Sequence, residues 1–194
     1  MASLIDWHVA IRSLGSESGD QYLVRHTADG VLVAVVDGLG HGPEAAGAAK
    51  AALAVLETGP ATDLSVLVSR CHESVRGSRG VVLSVAYFGV RTLTWLGVGN
   101  VDGVLLRAAP PGTEQLLVRG GVVGRNLPSL DVSRLIVGRG DTLILATDGI
   151  DPGFAKGSDL TRMTRPTAER ILVDHGKSTD DALVMVVRYV GLEE

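Results

Sequence analysis

Over residues 4–14, Ile5, Trp7, Val9 and Ile11 alternate with Asp6, His8, Ala10 and Arg12. A period of two is that of a strand with one face turned to a core. The polar stretch 15–19 ends it. Residues 21–26 predict a second strand, and Ala28-Asp29-Gly30 a hairpin turn after it. The next run, 31–36 (VLVAVV), has no polar face, which predicts a strand buried on both sides. The period then changes. Pro43 suits a first helical position, and Ala and Leu dominate 44–56 up to Gly59-Pro60. Thr62 or Asp63 suits the cap of a second helix running to about Arg76, with Leu64, Leu67, Val68 and Cys71 on one face.

The following stretch is β in character. Short strands are predicted at 81–90, 93–98, 103–108 and 114–119, separated by Gly, Asn and Pro. Residues 134–137 and 142–147 predict a further pair joined across 138–141. A helix over 167–175 and a strand over 182–190 complete the chain. Strands and helices in such segregated runs predict an α+β fold, with helices packed on largely antiparallel sheets. One domain spanning 1–194 is expected at this length.

Composition narrows the function. Hydrophobic residues make up 45% and charged residues 21%, which argues against disorder. The net charge of −4 argues against a nucleic-acid partner. The single cysteine, Cys71, excludes an internal disulfide and a multi-cysteine zinc site. Its place on an apolar helix face makes it a core residue, not a nucleophile. The first fourteen residues lack a cationic start and carry Asp6 and Arg12, unlike a signal peptide. No apolar run approaches the roughly 18 residues of a membrane helix. The expectation is a cytoplasmic monomer with no membrane partner.

Among 22 acidic residues, a few aspartates occupy unusual places. Asp37 ends VLVAVV, Asp148 ends TLILAT, Asp180 and Asp181 precede ALVMVV, and Asp20 opens the YLV strand. Any one of them fits an ordinary strand-end turn. If those strand ends meet, however, the carboxylates repel, and a divalent cation would relieve the repulsion. Oxygen ligands of this kind suit Mg²⁺ or Mn²⁺.

VVDGLGHG, LATDGI and STDDALVMVV, in that order, resemble the metal-dependent protein phosphatases of the PPM family. More narrowly, they resemble its bacterial branch, the stage II sporulation E type serine phosphatases. SGDQYLV is similar to that branch's early Gly-Asp strand motif, and GVGNVDGVLLR and GGVVGRN to its central β segment. The resemblance implies an αββα four-layer sandwich, two antiparallel sheets flanked by helices, with a binuclear centre of Mn²⁺ or Mg²⁺ at one end. It implies hydrolysis by metal-activated water without a phosphoenzyme. Asp37 matches the bridging carboxylate, and Gly38 the residue whose carbonyl binds a metal. Asp148 and Asp180 match the remaining carboxylate ligands, and Asp20 the aspartate that contacts metal-bound water. Asp181 falls at a position that supports the ligands.

His41 is the candidate general acid. In many family members the corresponding histidine directly follows Asp-Gly, whereas here Leu39-Gly40 intervene, so a capping or loop role is the alternative. Arg12 is the arginine placed to grip phosphate, and 149–165 the stretch that would serve as a small flap. At this size the chain looks most like the stressosome feedback phosphatases (the RsbX type). That likeness implies phosphoserine or phosphothreonine on STAS-domain stressosome proteins as substrate, and a role in resetting a stress response. The alternatives are a phosphatase of an anti-anti-sigma factor, a non-catalytic STAS-binding module, and a dinucleotide-binding protein. The last reads Gly40-x-Gly42-x-x-Ala45 as a loose pyrophosphate loop. It lacks a parallel strand after the helix and a suitable acidic residue beyond it.

Overall fold

The computed structural model describes residues 3–155 and 164–191. Its strands are β1 (Ile5–Arg12), β2 (Asp20–His26), β3 (Val31–Gly38), β4 (Val81–Gly89), β5 (Thr92–Val98), β6 (Asp102–Ala108), β7 (Pro111–Gln115), β8 (Val118–Arg119), β9 (Ser133–Ile136), β10 (Thr142–Ala146) and β11 (Ala182–Tyr189). The helices are α1 (Pro43–Thr58), α2 (Leu64–Ser74) and α3 (Thr164–His175), with a short 3₁₀ turn at Pro152–Ala155. One sheet runs β1-β11-β10-β6-β7 and the other β2-β3-β4-β5-β8, with β9 also on β5.

Alternation along the central strands builds the layers. In β3, Val31, Val33 and Val35 enter the core between the sheets, while Leu32, Ala34 and Val36 pack beneath α1 and α2. In β11, Leu183, Met185 and Val187 face the inter-sheet core, and Ala182, Val184 and Val186 face α3. Both sides of each strand are covered, so neither can carry a polar face. The result is the αββα sandwich implied by the sequence motifs. Fully burying each Leu, Val or Ile stabilises the fold by about 1.5–3 kcal/mol.

The helices start where local chemistry permits. Asp63 caps α2 by accepting the Val66 N–H at 3.1 Å. Ala45, Ala46, Ala48, Ala49 and Ala52 are buried in α1, and these small side chains let the helix lie close to its sheet. Helix α1 is followed by α2, and β3 pairs antiparallel with β2 and β4. No βαβ unit therefore exists at the glycine loop, which removes the dinucleotide-binding alternative.

Several expected elements differ. The strand expected over 114–119 is two strands in different sheets: β7 pairs β6, and β8 pairs β5 in parallel. Leu116 is buried between the sheets, and the Leu117 carbonyl accepts the Trp95 indole N–H at 2.8 Å as the chain crosses over. The segments near 134–137 and 142–147 do not pair with each other: β9 joins β5, whereas β10 lies between β6 and β11. The turn between them is anchored by the buried Asp141 carboxylate, which accepts from Arg107 at 3.0 Å and from the Ala108 and Gly138 N–H groups. That anchor carries the chain from one sheet to the other. Helix α3 starts at Thr164, three residues earlier than expected. In β1, Trp7 and Ile11 are 37% and 43% exposed, because β1 is an edge strand. Trp7 meets Tyr22 of the other sheet's edge, with ring centroids 6.0 Å apart.

Candidate active site

Asp37 continues the inward parity of Val31, Val33 and Val35, so it projects between the sheets at their open end. Asp20 stands directly opposite it in the β2–β3 register, on the same face. Like charges at opposed positions repel. Asp20 is only 3% exposed, and Asp37 is half-buried. The other sheet contributes from its facing end. The Thr147 hydroxyl donates to Asp20 Oδ2 at 2.8 Å and accepts the Leu183 N–H at 2.9 Å, tying the two sheets together. Asp148, one residue further, reaches the cleft rim. There Asn100 Nδ2 donates to its Oδ2 at 2.8 Å, and Lys177 Nζ donates to its carbonyl at 2.6 Å.

Asp180 is exposed at the same rim. Asp181 has a different role. Its carboxylate accepts from the Leu14 N–H (2.8 Å), the Gly19 N–H (2.9 Å) and the Ser18 hydroxyl (3.1 Å). It thereby fixes the loop that delivers Asp20. Asp20, Asp37, Asp148, Asp180, Asp181 and His41 all border one cleft of about 570 Å³. The structure thus brings the candidate carboxylates and the candidate acid to a single place.

The electrostatics follow from this crowding. Burial, then the nearby carboxylates, push Asp37 up from 3.8 to about 8. Burial raises Asp20 to about 7, with Asp181, Asp148 and Asp180 adding to the rise and the Thr147 hydrogen bond opposing it. Burial alone would raise Asp181, but the Leu14 and Gly19 N–H groups and the Ser18 and Ser13 hydroxyls hold it below its ordinary range. Among the described residues, no three His, Cys, Asp or Glu side chains are gathered tightly enough to form a ready metal-ligand set. The donors instead face one another across the cleft, two within it and two at its rim.

Two glycines make these aspartates possible. A Cβ on Gly38 would overlap the Ala45 carbonyl of α1, and one on Gly149 would overlap the Asp181 carbonyl. Each Asp-Gly pair therefore sits where another backbone passes against the strand end.

Other candidates lie elsewhere. The Arg12 guanidinium donates to the Lys177 carbonyl and does not border the cleft, so it is not placed to grip a phosphate there. Cys71 is fully buried, and burial pushes its thiol up to about 12, which leaves it inert. The buried His72 accepts the Gly124 N–H through Nδ1 at 2.9 Å, a structural contact. Of the stretch expected as a flap, 156–163 lies outside the described residues; Pro152–Ala155 forms the 3₁₀ turn, with Phe154 buried against α3. Asn100, Thr147 and Lys177 were not singled out from the sequence. Asn100 lies inside GVGNVDGVLLR, where an asparagine after Gly-x-Gly reads first as a turn residue.

A two-sheet sandwich flanked by helices, with carboxylates collected at one open end, is the architecture of the PPM phosphatases. Solved structures share it. A chain whose structure is described with the words "The bacterial stressosome: a modular system that has been adapted to control secondary messenger signaling" is 30% identical with a TM-score of 0.86, and the match covers 95% of this chain and 99% of that one. RsbX in complex with magnesium matches with a TM-score of 0.83 at 20% identity, covering 95% of this chain and 94% of its own. The phosphoserine phosphatase RsbX of Bacillus subtilis (strain 168) is 25% identical over 135 residues, 69% of this chain and 67% of that protein. The model of the stage II sporulation protein E (SpoIIE) family matches residues 27–190, and the chain belongs to that family. It is accordingly a metal-dependent protein serine/threonine phosphatase of the PPM class, a hydrolase.

Proposed function

We propose that this chain removes phosphate from serine or threonine of a STAS-domain protein in a stressosome-type signalling assembly, and so resets a stress response. The observation that carries the reading is the meeting of Asp20 and Asp37 from one sheet with Asp148 and Asp180 from the other in one cleft. The likeness to RsbX, and to a chain whose structure is described in connection with the bacterial stressosome, supports this class of partner. We place its action in the cytoplasm, by a single catalytic domain acting as a monomer. Among the described residues no helix is long and apolar enough to cross a membrane.

The donor set fits divalent cations. It is made only of oxygen, it is anionic, and its two innermost carboxyls are pushed upward by burial and by neighbouring carboxylates. Asp37, the Gly38 carbonyl, Asp148 and Asp180 would hold two Mg²⁺ or Mn²⁺ ions, and Asp20 would contact them through water. A wide-set group of this kind suits cations that keep several waters of their own. When bound, such ions supply a nucleophile from water near neutral pH and offset charge on the phosphoryl oxygens.

The chain's own residues orient and hold. Asn100 fixes the direction of the Asp148 carboxylate, Thr147 that of Asp20, and Asp181 the loop bearing Asp20. His41, exposed at the rim, is the group available to hand a proton to the departing seryl oxygen.

The test is hydrolysis of p-nitrophenyl phosphate and of a phosphorylated STAS protein with Mn²⁺, Mg²⁺ or EDTA. Turnover that needs the metal and disappears in Asp148→Asn is expected. Metal-independent turnover, or an active Asp148→Asn, would defeat the reading.

A further inference from the structure

A second groove, of about 530 Å³, runs beside the cleft between α1 and the turn after α2. Ala48 and Ala51 of α1 border it on one side, and Gly77, Ser78 and Arg79 on the other. Nothing lies within 4 Å of the positions a Cβ would take on Gly47 or Gly77, so its lips are open. Its charged residues are Glu44, Arg79 and Arg125. Glu44 accepts from Arg79 Nε at 2.6 Å, which turns Arg79 Nη1 over Gly40, a residue of the cleft itself. The stem of Arg125 packs beside Gly80, next to Val122 of the cleft wall. Arg125 has no carboxylate partner among the described residues.

This placement answers an electrostatic problem. The chain carries a net charge of −4, and its cleft is bordered by Asp20, Asp37, Asp148, Asp180 and Asp181, against which Lys177, tied to the Asp148 carbonyl, sets one positive charge. A phosphoprotein brings about −1.5 to −2 charges at the phosphate alone. Cations in the cleft would act on the phosphoryl group, but the flanking chain of the substrate would still meet a negative rim. On the side of Gly40 and Val122, Arg79 and Arg125 bring further positive charge beside that rim.

We propose that this groove docks an acidic segment flanking the phosphorylated residue of the substrate protein, with Arg79 and Arg125 as the specificity determinants. The inference rests on the phosphatase reading above. The guanidinium groups also orient the segment, because arginine matches carboxylates in geometry as well as in charge.

Two synthetic phosphoserine peptides of equal length test it, one with glutamates and one with glutamines flanking the phosphoserine. With Mn²⁺ at low salt, kcat/KM is expected to favour the glutamate peptide by about tenfold, through KM, with kcat within about twofold. The preference falls towards parity at about 0.5 M salt, where screening is nearly complete at these distances. Arg125→Glu is expected to remove or reverse it, and so is Arg79→Glu. Arg170→Glu on α3, an equal change of net charge in the opposite layer, keeps it. Equal kcat/KM for the two peptides, or a preference that survives both charge reversals, overturns the docking role. So does a fall of equal size on p-nitrophenyl phosphate, which is too small to reach the groove. No turnover of either peptide or of p-nitrophenyl phosphate defeats the phosphatase reading itself, a separate result.

Discussion

Replacing Asp37 with asparagine should abolish activity and yet stabilise the metal-free protein. Asp37 opposes Asp20 across β2 and β3, and burial with neighbouring carboxylates lifts it from 3.8 to about 8. That rise is about four units, and at about 1.4 kcal/mol per unit it sets a ceiling on the order of 5 kcal/mol. The amide remains a partly buried polar group and keeps a cost of about 1–3 kcal/mol, so a net gain of about 2–4 kcal/mol is expected. For a chain of this length each kcal/mol moves Tm by about 2–4 °C, which gives a rise of about 4–16 °C. The sign depends on pH. A carboxyl whose folded pKa lies above its unfolded value binds more protons when folded, so stability falls as pH rises from about 4 to about 8. The advantage of Asp37→Asn should therefore be full near pH 8 and be gone, or reversed by the cost of the amide, near pH 4. Thermal unfolding in EDTA at both ends of that range measures it. With Mn²⁺ added, the parent should gain more than the variant, because its carboxylates acquire a counter-charge. An asparagine variant no more stable than the parent near pH 8, or one whose advantage is the same at both pH values, would refute the account of strain at this pair.

Asp181→Ala releases the loop before β2, and about 2–4 kcal/mol of stability should be lost with it, read by denaturant unfolding. Because the Asp181 carboxyl lies below its ordinary value, that contribution is present above about pH 4 and disappears as pH falls further. Asn100→Ala frees the Asp148 carboxylate, and should lower kcat and weaken Mn²⁺ binding by about tenfold each, with Tm shifted by only a few degrees. Gly38→Ala forces a methyl into the Ala45 carbonyl and should cost about 3 kcal/mol or more, with activity lost at temperatures where the fold survives. Cys71 should resist alkylation in the native protein and react only after unfolding, as mass spectrometry of iodoacetamide-treated samples would record.

The strongest patterns in the sequence were those enforced by burial. VLVAVV, LILA and ALVMVV admit no polar residue because layers cover both faces of β3, β10 and β11, and each reads directly as a buried strand. The aspartates at their ends were conspicuous for the same reason: a charge beside such a run needs an explanation. The cap of α2 and the proline that opens α1 are local chemistry, legible without any knowledge of partners.

Long-range pairing was decided elsewhere. Nothing local distinguishes β9 as a neighbour of β5 from β9 as a hairpin partner of β10; the Arg107–Asp141 contact, 34 residues apart in sequence, settles it. The segment 114–119 looked continuous because its break is a change of sheet, not of residue type. The same limit applied in the cleft. The sequence alone set out carboxylates at strand ends, and motif order suggested that they act together. Only the tertiary structure put Asp20 opposite Asp37, hung the loop before β2 on Asp181, aimed Asn100 at Asp148, and turned Arg12 away to a backbone carbonyl. Burial writes itself into every residue it covers, and so it can be read from one strand. A hydrogen bond between side chains far apart in sequence leaves no periodic trace, and only the packed fold reveals it.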